Sequence, residues 1–238
     1  MNRQVCLVRS GIIQTCLVCS TPMSPAPPTP QKVSSSEKGP SQPRRPARER
    51  LLDAADELFY EFGIHTVGID RIIEHADVAK ASLYDCYGSK EELIAAYLRH
   101  RHEARCQRVE KRLAQFQNPR DKILSVFDLL GELVSQPTFR GCAFVRASTE
   151  AMSIPKVKTA CEESRAWMLG MFTSLAQDVG ADDPQALGKQ LVLLYDGASI
   201  AAHVDRNRDA ANDARALAAR LLSSTQTRRS SRKTRAGK

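Results

Sequence analysis

The chain has 238 residues, 42% of them hydrophobic and 26% charged, with a formal net charge of +8, enough length for one large or two small domains with a full core. By segment, residues 1–43 carry +3, 44–112 are neutral, 113–222 carry −1 and 223–238 carry +6, so the basicity belongs to the two ends and gives little support by itself to nucleic-acid binding. The seven cysteines are odd in number and scattered, and no run of about 18 apolar residues occurs, which argues against a disulfide framework and a spanning helix and suits a reducing cytoplasm.

In chain order, Val5 to Val18 is apolar but interrupted by Arg9, Ser10 and Gln14. A secretory signal is disfavoured by Arg9 within the apolar run and by the lack of a small-residue cleavage site; Met23 is the expected start. Cys16 and Cys19 have C-x-x-C spacing, but no second pair or nearby histidine completes a metal site. No metal and no cofactor is expected. Residues 21–46 are rich in Pro and Ser, a composition that builds no packed core, so residues 1–45 are read as a disordered arm. It ends in Arg44-Arg45-Pro46-Ala47-Arg48, either a solvated run or a short basic arm that follows a phosphate backbone or enters a minor groove.

The first helix is predicted from Pro46 to Phe62, with Leu51, Ala54, Ala55, Leu58, Phe59 and Phe62 as its apolar stripe and Gly63 as its stop. In the next segment Ile69, Ile72, Ile73 and Ala76 fall at i, i+3, i+4 and i+7, one helical stripe. A tight connection at Asp77 leads to a second short segment, where Val78, Leu83, Tyr84 and Tyr87 are the buryable positions and Lys80, Ser82 and Asp85 face away. Two helices too short to stand alone, packed across a tight turn, read as a helix-turn-helix whose second helix enters a DNA major groove. Ser89-Lys90-Glu91-Glu92 is a capping box that opens a fourth helix toward Phe116, ended by Asn118-Pro119.

The stretch A-A-D-E-L-F-Y-E-F-G-I-H-T-V-G-I-D-R-I-I-E-H-A-D-V-A-K-A-S-L-Y-D-C-Y-G-S-K-E-E-L-I-A-A-Y-L resembles the tetracycline-repressor (TetR/AcrR) class of bacterial transcription regulators. The combination spans about fifty residues and is specific; beyond residue 100 the likeness is looser. The resemblance implies an all-α protein: a three-helix DNA-binding domain over residues 46–100 and a helical effector-binding and dimerisation domain over 101–222. It implies a homodimeric, sequence-specific transcriptional regulator, a repressor released by a small-molecule effector, with a double-stranded DNA operator as partner and a cytoplasmic, nucleoid-associated location. The rival reading is a ligand- or protein-binding module of the same fold that does not bind DNA specifically. No nucleophile elbow, phosphate loop or metal-spaced pair suggests an enzyme.

The DNA-contact set implied by the resemblance is Arg45, Arg48, Gly68, Lys80, Ala81, Ser82, Tyr84, Asp85 and Lys90. Lys80 is long enough for a phosphate or a guanine edge, and Lys90 stands at a helix N-terminus that favours phosphate. Tyr84 and Lys90 also read as a core tyrosine and a solvated helix-start lysine. Such regulators commonly have Gly at the position of Asp77 and Ser at that of Ala79; Asp tolerates left-handed backbone, whereas Ala79 forgoes a capping hydroxyl. Asp85-Cys86 replaces the usual basic or aromatic pair, and an acid at the groove can favour cytosine N4.

From Asp121 to Leu222 the chain reads as helices: Ile123 to Val134, Phe139 to Met152, Pro155 to Val179, Pro184 to Ala202 and Asp209 to Leu222. The resemblance implies an effector pocket here, for which Phe127, Cys142, Arg146, Trp167, Met171 and Tyr195 are the candidates, although stripes of this kind are also ordinary core. Arg146 lies in an apolar run and needs a partner, either Glu150 one turn on or an anionic ligand. The Leu/Ala face from Leu187 to Ala202, with Leu191, Leu194, Ala198, Ala201 and the small Gly188 and Gly197, is the expected dimer interface. Residues 223–238 are read as a disordered basic tail, either a solvated run or one that adds salt-dependent, sequence-independent affinity for DNA.

Overall fold

The computed structural model describes residues 44–235, with side chains described as far as Ser223. The expectations for residues 1–43, including Met23 and the C-x-x-C pair, lie outside the described residues, as do those for the side chains of the basic tail.

Among the described residues every regular element is an α-helix. α1 (Ala47–Phe62), α2 (Ile69–Ala76), α3 (Lys80–Tyr87) and α4 (Lys90–Leu113) are followed by α5 (Pro119–Val134), α6 (Ala143–Glu150), α7 (Pro155–Asp178), α8 (Pro184–Val204) and α9 (Ala210–Arg235). The ends follow the chemistry of the sequence. Pro119, Pro155 and Pro184 open α5, α7 and α8, where a missing N–H is no loss. Asn118, Asp183 and Ser89 accept from the first-turn amides of Arg120, Ala186 and Glu92. α9 runs past the expected end at Leu222 to Arg235, a stretch of sequence without Pro or Gly.

The apolar side chains form two clusters. The first joins α1, α2, α3 and the start of α4 to α6 and the first turns of α7, with Leu51, Phe59, Ile72, Leu83, Leu93 and Tyr97 at its centre. The second joins the far half of α4 to α5, the rest of α7, α8 and α9, around Phe127, Leu130, Phe172 and Leu191. α4 is thus one continuous rod shared by both, with Leu98 in one core and Val109 in the other. α6 packs with the helix-turn-helix rather than with the second core.

At Gly188 a Cβ would stand 2.5 Å from Thr173 Oγ1 and 3.0 Å from the Thr173 backbone nitrogen. Its hydrogen lets α8 close on α7 within the chain, so Gly188 is not part of an outer contact face. Gly197 meets nothing within 4 Å.

Candidate nucleic-acid interface and adjoining cavity

Two groups fix the helix-turn-helix turn. Asp77 ends α2 in the left-handed region, at φ 51° and ψ 55°, a conformation Asp tolerates better than most residues. From α1, Arg50 Nη1 donates to the carbonyls of Ala76 and Asp77, each at 2.7 Å, so a cation satisfies the orphan acceptors at the α2 C-terminus. Ala79 caps α3 with no side-chain hydrogen bond. Leu83 and Tyr87 anchor α3 inward, and the Tyr87 hydroxyl donates to the Arg48 carbonyl at 2.8 Å. Lys80, Ala81, Tyr84 and Asp85 are exposed together on its outer side, and Ser82 is half-buried.

Tyr84 is 45% exposed, which corrects its reading as a buryable position: on an eight-residue helix only the side bearing Leu83 and Tyr87 meets α1. Lys80 is not free. Its Nζ donates to Asp70 Oδ1 of α2 at 3.1 Å, and that hydrogen bond and charge raise its pKa. Lys90 turns inward, donating from Nζ to the Ile64 carbonyl at 2.9 Å, and its burial lowers its pKa. As placed, this ammonium holds the loop between α1 and α2 rather than projecting toward a phosphate. Arg45 pairs with Glu49 and Asp53, while Arg48 reaches the Cys86 carbonyl and lies over the Tyr87 ring, 4.5 Å from its centroid. Gly68 precedes α2 in an exposed, extended conformation.

Behind this surface lies a cavity of about 520 Å³ between α1, α4, α5, the segment entering α6, and α8. Its apolar wall includes Leu129, Leu130, Leu133, Phe139 and Phe144; Arg101, Arg105 and Arg108 of α4 line one side. Arg101 forms a two-pronged pair with Asp56 of α1, at 2.5 and 2.8 Å, and stacks 3.9 Å from the Tyr60 ring centroid.

The segment that closes the cavity is bound to the end of α1. The Tyr60 hydroxyl donates to the Gly141 carbonyl and accepts from the Arg140 amide, both at 3.0 Å. Arg140 pairs with Glu61 at 2.9 Å, and Arg146 Nη1 donates to the Tyr60 carbonyl at 2.5 Å. Glu150, from the last turn of α6, accepts from the amides of Ile64 and His65 at 2.6 and 3.2 Å.

A family model, "Bacterial regulatory proteins, tetR family", matches residues 51–97. The TetR-family regulator SCO4454 of Streptomyces coelicolor is 33% identical, and the likeness covers 75% of this chain and 95% of that one with a TM-score of 0.71. This chain belongs to the TetR family of bacterial transcriptional regulators. A TetR-type regulator of Streptomyces avermitilis is 34% identical, over 69% of this chain and 90% of its own, with a TM-score of 0.63. The transcriptional repressor NemR of Escherichia coli is 24% identical over 67% of this chain and 85% of its own length. Membership makes the chain a DNA-binding regulator with an N-terminal helix-turn-helix.

Within that family frame, the structure brings only part of the expected effector set to the cavity: Cys142 and Tyr195 line it. Phe127 is buried in the second core against Phe172 and Tyr195, with ring centroids 5.9 and 6.3 Å away. Trp167 packs edge-on against His102, 5.7 Å away, and Met171 packs on the second core. Arg146 lies outside the cavity, with Glu150 and the Tyr60 carbonyl as its partners. Its partner is thus within the protein, because the end of α1 passes directly over α6.

For the dimer face, Leu187, Leu191 and Ala198 are buried in the chain's own core, and Leu194 and Ala201 are half-buried against it. α8 is apolar on two sides, and the sequence pattern does not say which side meets α7 and α9. The outer stripe is Leu193, Gly197, Ile200 and Val204, at i, i+4, i+7 and i+11, with Leu193 67%, Ile200 46% and Val204 69% exposed. Sequence reading missed both this stripe and the arginines at 101, 105 and 108. The latter carry a signal, i, i+4 and i+7 of one cation type, but on a long charged helix that spacing reads as a solvated face.

Proposed function

We propose that this TetR-family regulator is a homodimeric repressor that leaves its operator when a small molecule fills the cavity behind α1. The observation carrying this reading is the set of bonds between the cavity wall and the DNA-binding helices. Asp56, Tyr60 and Glu61 of α1 either line the cavity or bond the segment that closes it, and Glu150 holds the α1–α2 loop. A ligand that displaces Cys142 or Arg105 strains these bonds and moves α1, hence α2 and α3. Such release needs the ligand to bind the two arrangements with different affinity.

Lys80, Ser82, Tyr84 and Asp85 are the proposed operator contacts, with Arg45 and Arg48 along the adjacent backbone; Lys90 acts on them through the α1–α2 loop. The outer stripe of α8, with the exposed Leu217 of α9, is the proposed dimer face, and dimerisation fixes the spacing of two recognition helices on DNA. Fluorescence anisotropy with DNA from upstream of the protein's own gene tests the reading. Specific binding that is lost in Tyr84→Ala supports it; binding indifferent to sequence and to Tyr84 points instead to a module of this fold without an operator.

A further inference from the structure

The charges around the cavity do not pair off. Asp56 is taken by Arg101, Glu61 by Arg140, and Glu57 meets His75 of α2 at 2.8 Å. Arg105 and Arg108 form no ion pair among the described residues. Arg105 is half-buried, and its donors meet only neutral acceptors, Ser164 Oγ at 3.2 Å and Cys142 Sγ at 3.4 Å. Its guanidinium lies 4.5 Å from the Phe144 ring centroid. Arg108, one turn on, is exposed at the cavity edge and makes no hydrogen bond to a described residue.

The Tyr195 hydroxyl completes the group. The ring is wedged between Phe127 and Phe172, at 6.3 and 6.4 Å, and its hydroxyl has no hydrogen-bond partner among the described residues. Burial raises its pKa, as do Cys142 and Asp196, while Arg105 and Arg108 pull in the opposite direction; all three of Arg105, Arg108 and Tyr195 line the same cavity. Two guanidinium groups without a counter-ion and the Tyr195 hydroxyl therefore line a cavity whose carboxylates, Asp56, Glu57 and Glu61, are already paired and whose apolar wall is leucine and phenylalanine. A half-buried guanidinium without a counter-ion is costly, and its planar fork fits the two oxygens of a carboxylate.

We propose that this cavity takes a small carboxylic acid with an apolar body, its carboxylate between Arg105 and Arg108 and its hydrocarbon against the leucine wall. The inference deepens the reading of the cavity as the effector site and rests on it only for the consequence at DNA. Arg146, the arginine that the sequence singled out for an anion, has no part in it. The two cations that do both come from α4, the helix whose Arg101 holds α1.

Calorimetry on the full-length protein with octanoate and 4-phenylbutanoate, each against its neutral amide, tests the ligand class without DNA. At least one acid should bind about tenfold more tightly than its amide, since a charge-assisted bond is worth roughly that much more than a neutral one. Arg108→Gln, at the exposed edge, should reduce the preference several-fold, and Arg105→Met should abolish it with the helical circular dichroism unchanged. If Arg105→Met fails to fold, Arg108→Gln decides. Equal binding of acid and amide, no binding of either acid at millimolar concentration, or a preference unmoved by Arg108→Gln overturns the proposal. Anisotropy on operator DNA separates the two readings. An acid that binds without loosening DNA leaves the carboxylate site standing and removes the effector role; a neutral molecule that loosens DNA while no acid binds does the reverse.

Discussion

Glu150 Oε2 stands 2.6 Å from the amide nitrogen of Ile64. A carboxylate at the end of α6 thus satisfies the backbone of the loop leading into α2, 86 positions earlier in the chain. Gly63, at φ +91°, lies so close that a Cβ there would be 2.9 Å from Glu150 Oε1. The latch therefore needs both a glycine at the end of α1 and an acid at the end of α6.

Replacing Glu150 by alanine leaves the Ile64 amide without its acceptor and Arg146 without its carboxylate. Unpaired buried donors cost about 2 kcal/mol, and for a protein of this size that lowers Tm by on the order of 4–8 °C. Glu150→Gln keeps an acceptor oxygen and should lose less. Differential scanning calorimetry checks both; an unchanged Tm in Glu150→Ala would show that water replaces the latch.

Lys80 and Lys90 look alike in sequence and should behave differently on DNA. Lys80 can exchange Asp70 for a phosphate, so Lys80→Ala should weaken operator binding and flatten the dependence of log affinity on log salt by about one unit. Asp70→Asn should strengthen binding by freeing Lys80. Lys90→Met removes the donor to the Ile64 carbonyl, so its loss should appear in thermal stability with the salt dependence intact. Equal salt effects from both lysines would contradict the inward placement of Lys90.

What was legible in the sequence follows from how local each cause is. The α2–α3 turn could be read because Ile72, Ala76 and Leu83 have to meet α1 across a connection of only three residues, Asp77 to Ala79. The helix ends could be read because Pro119, Pro155, Pro184 and Ser89 act on their own first turns. The cavity could not, because Arg105 differs from Arg101 only in having no carboxylate nearby, and Asp56, which takes Arg101, comes from a distant segment. The inward side of α8 was equally hidden: Leu191 and Leu193 are two residues apart and both leucine, yet one is fully buried and the other 67% exposed.

That contrast gives a paired test of the dimer. Leu193→Glu or Ile200→Glu places a charge on the outer stripe and should leave a folded, helical monomer by sedimentation velocity, with operator affinity lost through the missing partner. Leu191→Ala opens the chain's own core and should cost about 2–5 kcal/mol in stability. A Leu193→Glu protein that stays dimeric would move the interface off this stripe.

His102 should make stability depend on pH. It sits between Phe144 and Trp167, edge-on at 6.4 and 5.7 Å. Burial first, and then the Arg105 charge, lower its pKa below the ordinary 6.5, against an opposing pull from Glu163 and Glu103. The fold therefore favours the neutral ring. Its contribution is fully present above the unfolded-state value and is lost as pH falls from there toward the lower folded-state value. Thermal melts at pH about 7.5 and about 5.5, either side of that ordinary value, should show a drop in the parent that is smaller in His102→Gln, whose side chain does not titrate. An equal drop in both proteins would assign the acid sensitivity to the carboxylate pairs instead.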